Sequence, residues 1–393
     1  MVTGARQRRR RWPFGTTARK LYALVLVVPV TVLFAMVWQS VGEQRDFAEL
    51  ERDGVRYIQA LVPLEIALTN AQSAAVGGNP TSGDPLDRAV GAVTAVDTEL
   101  GARLRTQDRW AGLRTKIESL PTSGSGEAII AAYGGANDLL LALIDKVRNN
   151  SKLIRDPDAD SYYLGDGSAQ ELPEGIIAAA RYTDLLVSAA RLSEADQAKA
   201  LVDINAARSD LVSNARDLSD DVRLAVEGTG SRSLGSTLLN KLDRFNRSID
   251  ALVPLMNPVL AGNGGTVNVA QVVRARAEMQ AAAADLSAAL LVQIDIALRD
   301  RLDSLDQRRL LAAGTLVLSV LLALVPFGLG LTGRRNRPPS PPPAPAPAPP
   351  ARPAHQAPKP METVPPQWSS AGPGAPDRSD PEFARWERFG ASQ

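Results

Sequence analysis

Residues 291–331 read LVQIDIALRDRLDSLDQRRLLAAGTLVLSVLLALVPFGLGL, and two chemistries follow each other in them without a break. In the first half Leu291, Ile294, Leu298, Leu302 and Leu305 step by three, four, four and three, with Asp295, Arg299, Asp300, Arg301 and Asp303 between them. One apolar stripe therefore runs down a charged helix. From Leu310 to Gly333 the chain holds 24 residues without an Asp, Glu, Lys or Arg. At about 1.5 Å per helical residue this run is long enough to cross a hydrocarbon core of about 30 Å. With no Pro or Gly before Gly314, the stretch predicts one continuous helix that starts near Val269 and runs on through a membrane.

The other end of the chain has a matching run, 22 uncharged residues over 21–42. Arg6, Arg8, Arg9, Arg10, Arg11, Arg19 and Lys20 precede it, and Arg334, Arg335 and Arg337 follow the second run. Basic flanks are retained on the cytoplasmic side, so both termini are expected inside and residues 41–309 outside. Arg308 and Arg309 oppose that orientation, but Asp300, Asp303 and Asp306 stand beside them. A cleaved signal peptide is the alternative for the first run. Its apolar core, Leu21 to Trp38, is longer than the usual 7–15 residues, and Phe34–Ser40 offers no small-x-small cleavage site. The net charge of +1 hides this segregation: +7 over residues 1–20, −9 over 41–309 and +3 over 334–393.

Between the runs lie 269 residues that divide into helices by start and stop signals. Gly77-Gly78-Asn79-Pro80 ends a first helix, and Asp84-Pro85 opens a second that runs to about Leu120. A third covers about 127–154 and a fourth about 169–191. Ser193-Glu194-Ala195-Asp196, a capping box with Asp for Glu, opens a fifth to about Glu227. A sixth covers about 234–256. The pentapeptide Ala60–Leu64 returns at Ala251–Leu255, either a trace of a repeat or a coincidence. No strand pattern stands out. The expected fold class is all-α, a membrane-anchored antiparallel helical bundle flanked by two transmembrane helices, with a disordered Pro-rich C-terminal tail. The expected segments are a basic cytoplasmic N-terminus (1–20), a first transmembrane helix (21–40), an extracytoplasmic bundle (41–309), a second transmembrane helix (310–333) and the tail (334–393).

Chemistry is scarce. The chain has no Cys and one His, which removes thiol catalysis, thiolate-bound metals and disulfides, and no phosphate-binding glycine loop is present. No enzyme activity, cofactor or metal is expected, and no nucleic-acid partner. The tail holds 17 of the 28 prolines, a composition for a flexible spacer or a proline-recognition ligand. At its end Asp380-Pro381 starts a short expected helix over 380–390, with Phe383, Trp386 and Phe389 three apart on one side. That spacing fits a docking element for a cytoplasmic protein or for the inner leaflet, or a chance amphipathic end.

The most specific motif is Ser151-Lys152-Leu153-Ile154-Arg155-Asp156-Pro157-Asp158-Ala159-Asp160-Ser161-Tyr162-Tyr163-Leu164-Gly165-Asp166. As a calcium loop it fails, because Ser161 and Gly167 occupy the positions that need Gly and a bidentate Glu. As local structure, Asp156 caps a helix with Pro157 at its first position, and Asp158 and Asp160 lie near the positive end of its dipole. As a binding site, Arg155, Asp156, Asp158, Asp160, Tyr162 and Tyr163 are the candidate ligand contacts, with Arg155 placed to meet an anion.

The same stretch resembles the S-x-L-x-x-D-P-D-x-D-S-Y-Y-L-x-D signature of helical extracytoplasmic sensor regions in bacterial methyl-accepting chemotaxis receptors and sensor histidine kinases. Arg109-Trp110-Ala111-Gly112-Leu113-Arg114 is similar to the W-x-x-L element upstream of it, and Leu172-Pro173 follows at the matching distance. The resemblance covers about residues 40–230. Ala159 and Gly165 replace the Leu and Met frequent there, and the HAMP linker and output domain that normally follow are not matched. It implies a multi-pass bacterial inner-membrane sensor, homodimeric, with a small-molecule ligand outside and a partner protein reading the tail inside. A scaffold that senses nothing, or a receptor truncated before its output domain, are the alternatives.

Overall fold

The computed structural model describes residues 16–79, 84–156, 159–228, 232–260 and 267–335, with side chains for all of these except 16–20, 159–160, 232–234 and 326–335. All regular structure among the described residues is helical. The elements are α1 (Thr16–Gly77), α2 (Asp84–Leu104), α3 (Gln107–Glu118), α4 (Gly126–Ser151), α5 (Ala159–Asp166), α6 (Leu172–Ala189), α7 (Glu194–Gly228), α8 (Arg232–Leu252), α9 (Asn257–Leu260) and α10 (Val269–Arg335).

Two helices dominate. α1 is 62 residues long and α10 is 67, so they extend about 90 and 100 Å at the usual rise. Pro29 and Pro63 lie inside α1 without ending it. Gly78 does end it: at φ 74° it takes the left-handed conformation that a terminal glycine adopts at no steric cost, and Asn79 N–H donates back to the Ala74 carbonyl (2.9 Å). The Arg191 guanidinium then donates to the Val76 and Gly77 carbonyls (2.9 and 2.8 Å), placing a cation on the negative end of the helix. As the sequence predicts, α10 is unbroken from Val269.

The expected second helix divides into two. Arg105 adopts φ 53°, and Thr106 N–H closes on the Gly101 carbonyl (3.0 Å), the same terminal turn without a glycine to announce it. Buried Asp97 fixes the break by accepting from both the Thr106 hydroxyl (2.7 Å) and the Tyr57 hydroxyl of α1 (2.8 Å). The helix expected to open at Asp156-Pro157 is described from Ala159 and runs on into the expected fourth helix. It continues from α5 into α6 through a wide π turn, Gly167–Glu171, where Leu172 N–H reaches back five residues to the Gly167 carbonyl. Pro173 next to that turn has no N–H to continue the ordinary ladder. Ser193 caps α7, its hydroxyl bonded to the Asp196 side chain (2.8 Å). The two copies of the pentapeptide diverge: Pro63 lies within α1, whereas Pro254 lies in a 3-10 turn, Val253–Met256, that follows α8.

α1 and α10 make the most extensive contact in the chain and run antiparallel, pairing Arg45 with Asp306 (2.6 Å), Arg52 with Asp295 (2.7 Å) and Asn70 with Arg276 (3.1 Å). Beyond residue 41 their inner faces join one core with α2, α4, α6, α7 and α8, through residues such as Leu61, Leu68, Leu140, Leu186, Leu218, Phe245 and Leu290. Over residues 21–40 and 310–325 most of the apolar side chains are exposed. Leu24 is 60% exposed and Leu311 72%, a state that water does not tolerate over two long runs. Trp38 stands at the boundary, with the Arg309 guanidinium 5.0 Å from its ring centre.

Among the described residues, three helices are long and apolar enough to cross a membrane: α1, α10 and α4. α4 differs from the other two, because Ile129, Tyr133, Ala136, Leu140, Leu143, Ile144 and Val147 are buried against the protein's own core.

Candidate functional site

The signature segment links α4 to α5 beside the two long helices. α4 ends at Ser151; Lys152 follows at φ 71° and a 3-10 turn, Leu153–Arg155, leads to Asp156. The Asp156 carboxylate, 1% exposed, accepts from Arg301 Nη2 of α10 (2.6 Å), and Arg301 Nη1 donates to Glu51 of α1 (3.0 Å), whose side chain is fully buried. One guanidinium thus ties the motif to both helices that continue into the apolar runs. Arg301 lies nine residues before Leu310, about 13 Å along the helix. Close packing supports the junction. A β-carbon on Gly54 of α1 would lie 2.3 Å from the Ser151 side chain, so only glycine lets α1 and α4 approach this closely.

The sequence candidates fare differently. Arg155 is exposed, and Asp156 turns its carboxylate to Arg301. Tyr162 and Tyr163 are half-buried, their rings meeting edge to face at 5.3 Å. Asp158 lies outside the described residues, as does the Asp160 side chain, although its backbone belongs to α5. Phe383, Trp386, Phe389, the expected helix over 380–390 and the Pro-rich tail from residue 336 onward also lie outside them.

Next to the motif, α5, the π turn and α7 bring Asp166, Glu171 and Asp221 together, with one carboxylate oxygen from each within 4.8 Å of the others. Burial first, then the neighbouring Glu174, Asp217, Asp166 and Asp221, push Glu171 up to about 7. Asp221 is pushed up to about 7 by burial and by Asp166, Asp217 and Asp220, against the pull of Arg148. The Arg148 guanidinium, 7% exposed, donates to Asp166 and Gln170 and balances part of this charge. These three carboxylates are the oxygen donors among the described residues that could hold a hard cation.

A third site lies at the end of the core farthest from the two apolar runs. Where the last turns of α1 meet α6 and the start of α10, a cavity of about 700 Å³ is lined by Asn70, Ser73, Thr183, Asp184, Val187, Val272 and Arg276 among others. Asp184 accepts from Gln72 Nε2 (2.8 Å), and Gln72 Oε1 in turn accepts from buried Asn137 of α4 (3.0 Å). Burial raises the Asp184 carboxyl to about 6 in spite of Ser73, Arg276 and Gln72. The site lies about 30 Å along α1 from the Glu51–Arg301–Asp156 clasp.

Sequence reasoning missed Arg301, and also Asp184 and Arg276, which face each other in the cavity. Arg301 reads as one more charge on a solvated helix face. Asp184 carried a readable signal, since Ala180 and Val187, one turn to either side, are apolar and buried. No protein-family model, curated protein or solved structure matches the chain.

Proposed function

We propose that this chain is a two-span sensory protein of a bacterial inner membrane. An extracytoplasmic helical bundle detects a small molecule or the state of the envelope, and the cytoplasmic tail carries the result to a partner protein. The observation that carries the reading is the clasp: Arg301 of α10 holds both Glu51 of α1 and Asp156, so the segment with the sensor-like signature is bonded to α10 and, through the same guanidinium, linked to α1. A rotation or shift of α1 against α10 is a bistable rearrangement that such a clasp would bias. The resemblance of residues 151–166 to sensor signatures, the bare apolar faces of 21–38 and 310–325 and the basic flanks support it. α4 packs into the core, which favours two spans over three. No catalytic role is proposed, and homodimerisation belongs to the same reading.

Spin labels test it. The chain has no Cys, so Leu24→Cys and Leu324→Cys, exposed positions near the cytoplasmic ends of the two runs, give one labelled pair. In lipid nanodiscs, releasing the clasp with Asp156→Asn is expected to shift the distance distribution between the labels. Identical distributions would reject coupling through α1 and α10. Deleting residues 336–393 is expected to leave insertion and the distance change intact and to abolish the cellular output.

A further inference from the structure

The membrane-distal cavity contains a cation with bonds left to make. Arg276 of α10 donates from Nη2 to Asn70 Oδ1 (3.1 Å), while Nη1 stands 3.7 Å from Asp184 Oδ1, beyond hydrogen-bond range. Among the described residues its Nε and Nη1 are buried with no acceptor. Native proteins satisfy such groups because an orphaned buried donor is costly, and a charged one more so. The acceptor is therefore expected from outside the chain. The walls limit its chemistry. Val187, Val272 and the alanines of α1 make most of the lining apolar, in a volume typical of small-molecule sites. Asp184, 3% exposed and facing the same guanidinium, already offsets part of its charge, so a ligand that brings one negative charge is disfavoured less than one that brings two.

We infer that this cavity is the binding site for a small monocarboxylate with a compact hydrocarbon body, its carboxylate accepting from Arg276 and its body lying against Val187 and Val272. The site is remote from the signature motif, so the motif couples and the cavity recognises. The inference deepens the sensory reading and rests on it for the consequence of binding, whereas binding itself is measured directly.

The test uses the full chain in nanodiscs, with benzoate and 3-methylbutanoate against 3-methylbutanol, 3-methylbutylamine and inorganic phosphate, read by calorimetric titration and by the shift in Tm. Both carboxylates are expected to bind and raise Tm, and the alcohol, amine and phosphate are not. Arg276→Gln is expected to abolish the response. Asp184→Asn keeps an acceptor for Gln72 and removes the competing charge, so it is expected to tighten carboxylate binding about tenfold, a gain that a damaged fold would not produce. Absence of carboxylate binding, equal binding of the alcohol or amine, or an unchanged response in Arg276→Gln would each overturn the assignment. The spin-labelled pair separates the two readings. Benzoate that binds without moving the labels removes the sensory reading alone; labels that respond to Asp156→Asn in a protein that binds no carboxylate remove the cavity assignment alone.

Discussion

Replacing Gly54 by Ala adds one methyl group at the point where α1 passes α4. The new carbon would lie 2.3 Å from both Cβ and Oγ of Ser151 and 3.1 Å from Leu153 Cδ1. Carbon atoms in contact sit about 3.5–4.0 Å apart, so the helices must separate by more than an ångström. No rotamer relieves the overlap, because the Ser151 Cβ is fixed to its backbone. Overpacking of this kind costs about 1–3 kcal/mol, and the Cβ–Cβ overlap puts it near the upper end. Against it, Ala in a helix interior returns about 0.8–1.0 kcal/mol relative to Gly. The expected net loss is about 1–2 kcal/mol. In Gly54→Ala/Ser151→Gly both overlapping atoms are gone, and the residual cost at the last residue of α4 is a few tenths of a kcal/mol. The double variant should return to within about 0.5 kcal/mol of the native chain, for a coupling energy of about 2 kcal/mol. Guanidinium denaturation in nanodiscs, followed by circular dichroism, measures all four proteins. A Gly54→Ala variant as stable as the native chain, or a loss that Ser151→Gly fails to restore, would refute the close approach.

Other outcomes follow from buried charge. Arg301→Met leaves the Glu51 and Asp156 carboxylates buried without their cation and should cost about 3–5 kcal/mol by the same denaturation assay. Among the described residues neither carboxylate oxygen of Glu65 on α1 has a hydrogen-bond partner, and burial holds its carboxyl well above the ordinary range. Glu65→Met should therefore stabilise the protein at neutral pH by about 1–3 kcal/mol in thermal melts. Glu171 and Asp221 are held at about 7 against ordinary values of 4.5 and 3.8. Between those limits the folded state keeps protons that the unfolded chain releases, so stability falls as pH rises from about 4 to 7. Asp221→Asn should flatten that slope in denaturation curves taken at pH 5.5 and 8.

Helix positions were readable wherever the backbone advertised its breaks. Gly77-Gly78, Asp84-Pro85 and Ser193 carry turn or cap chemistry that acts locally, and α1, α2 and α7 start or stop there. The division between α2 and α3 was illegible because its cause is tertiary. Arg105 takes a glycine-like conformation only with Asp97, Thr106 and Tyr57 bonded around it. A helix opening after Asp156-Pro157 was legible from its cap chemistry, but its continuation into α6 was not, because the π turn beside Pro173 has no local signal. The candidate site was legible in part. Asp156 was singled out from its motif, but its partner is 145 residues away, and no local pattern distinguishes Arg301 from Arg299, which bonds to Asp295 on its own helix. Arg276 and Asp184 are likewise distant in sequence and meet only through the packing of α6 on α10.

The account depends most on which side of the bilayer each part occupies. With no native Cys, Val202→Cys in α7, 74% exposed, and Ser392→Cys near the C-terminus each supply a single thiol for a membrane-impermeant maleimide. In intact spheroplasts the thiol at position 202 is expected to label fully and the one at 392 only after permeabilisation. The reverse pattern, or labelling of both thiols before permeabilisation, would contradict an outer sensor joined through two spans to an inner tail.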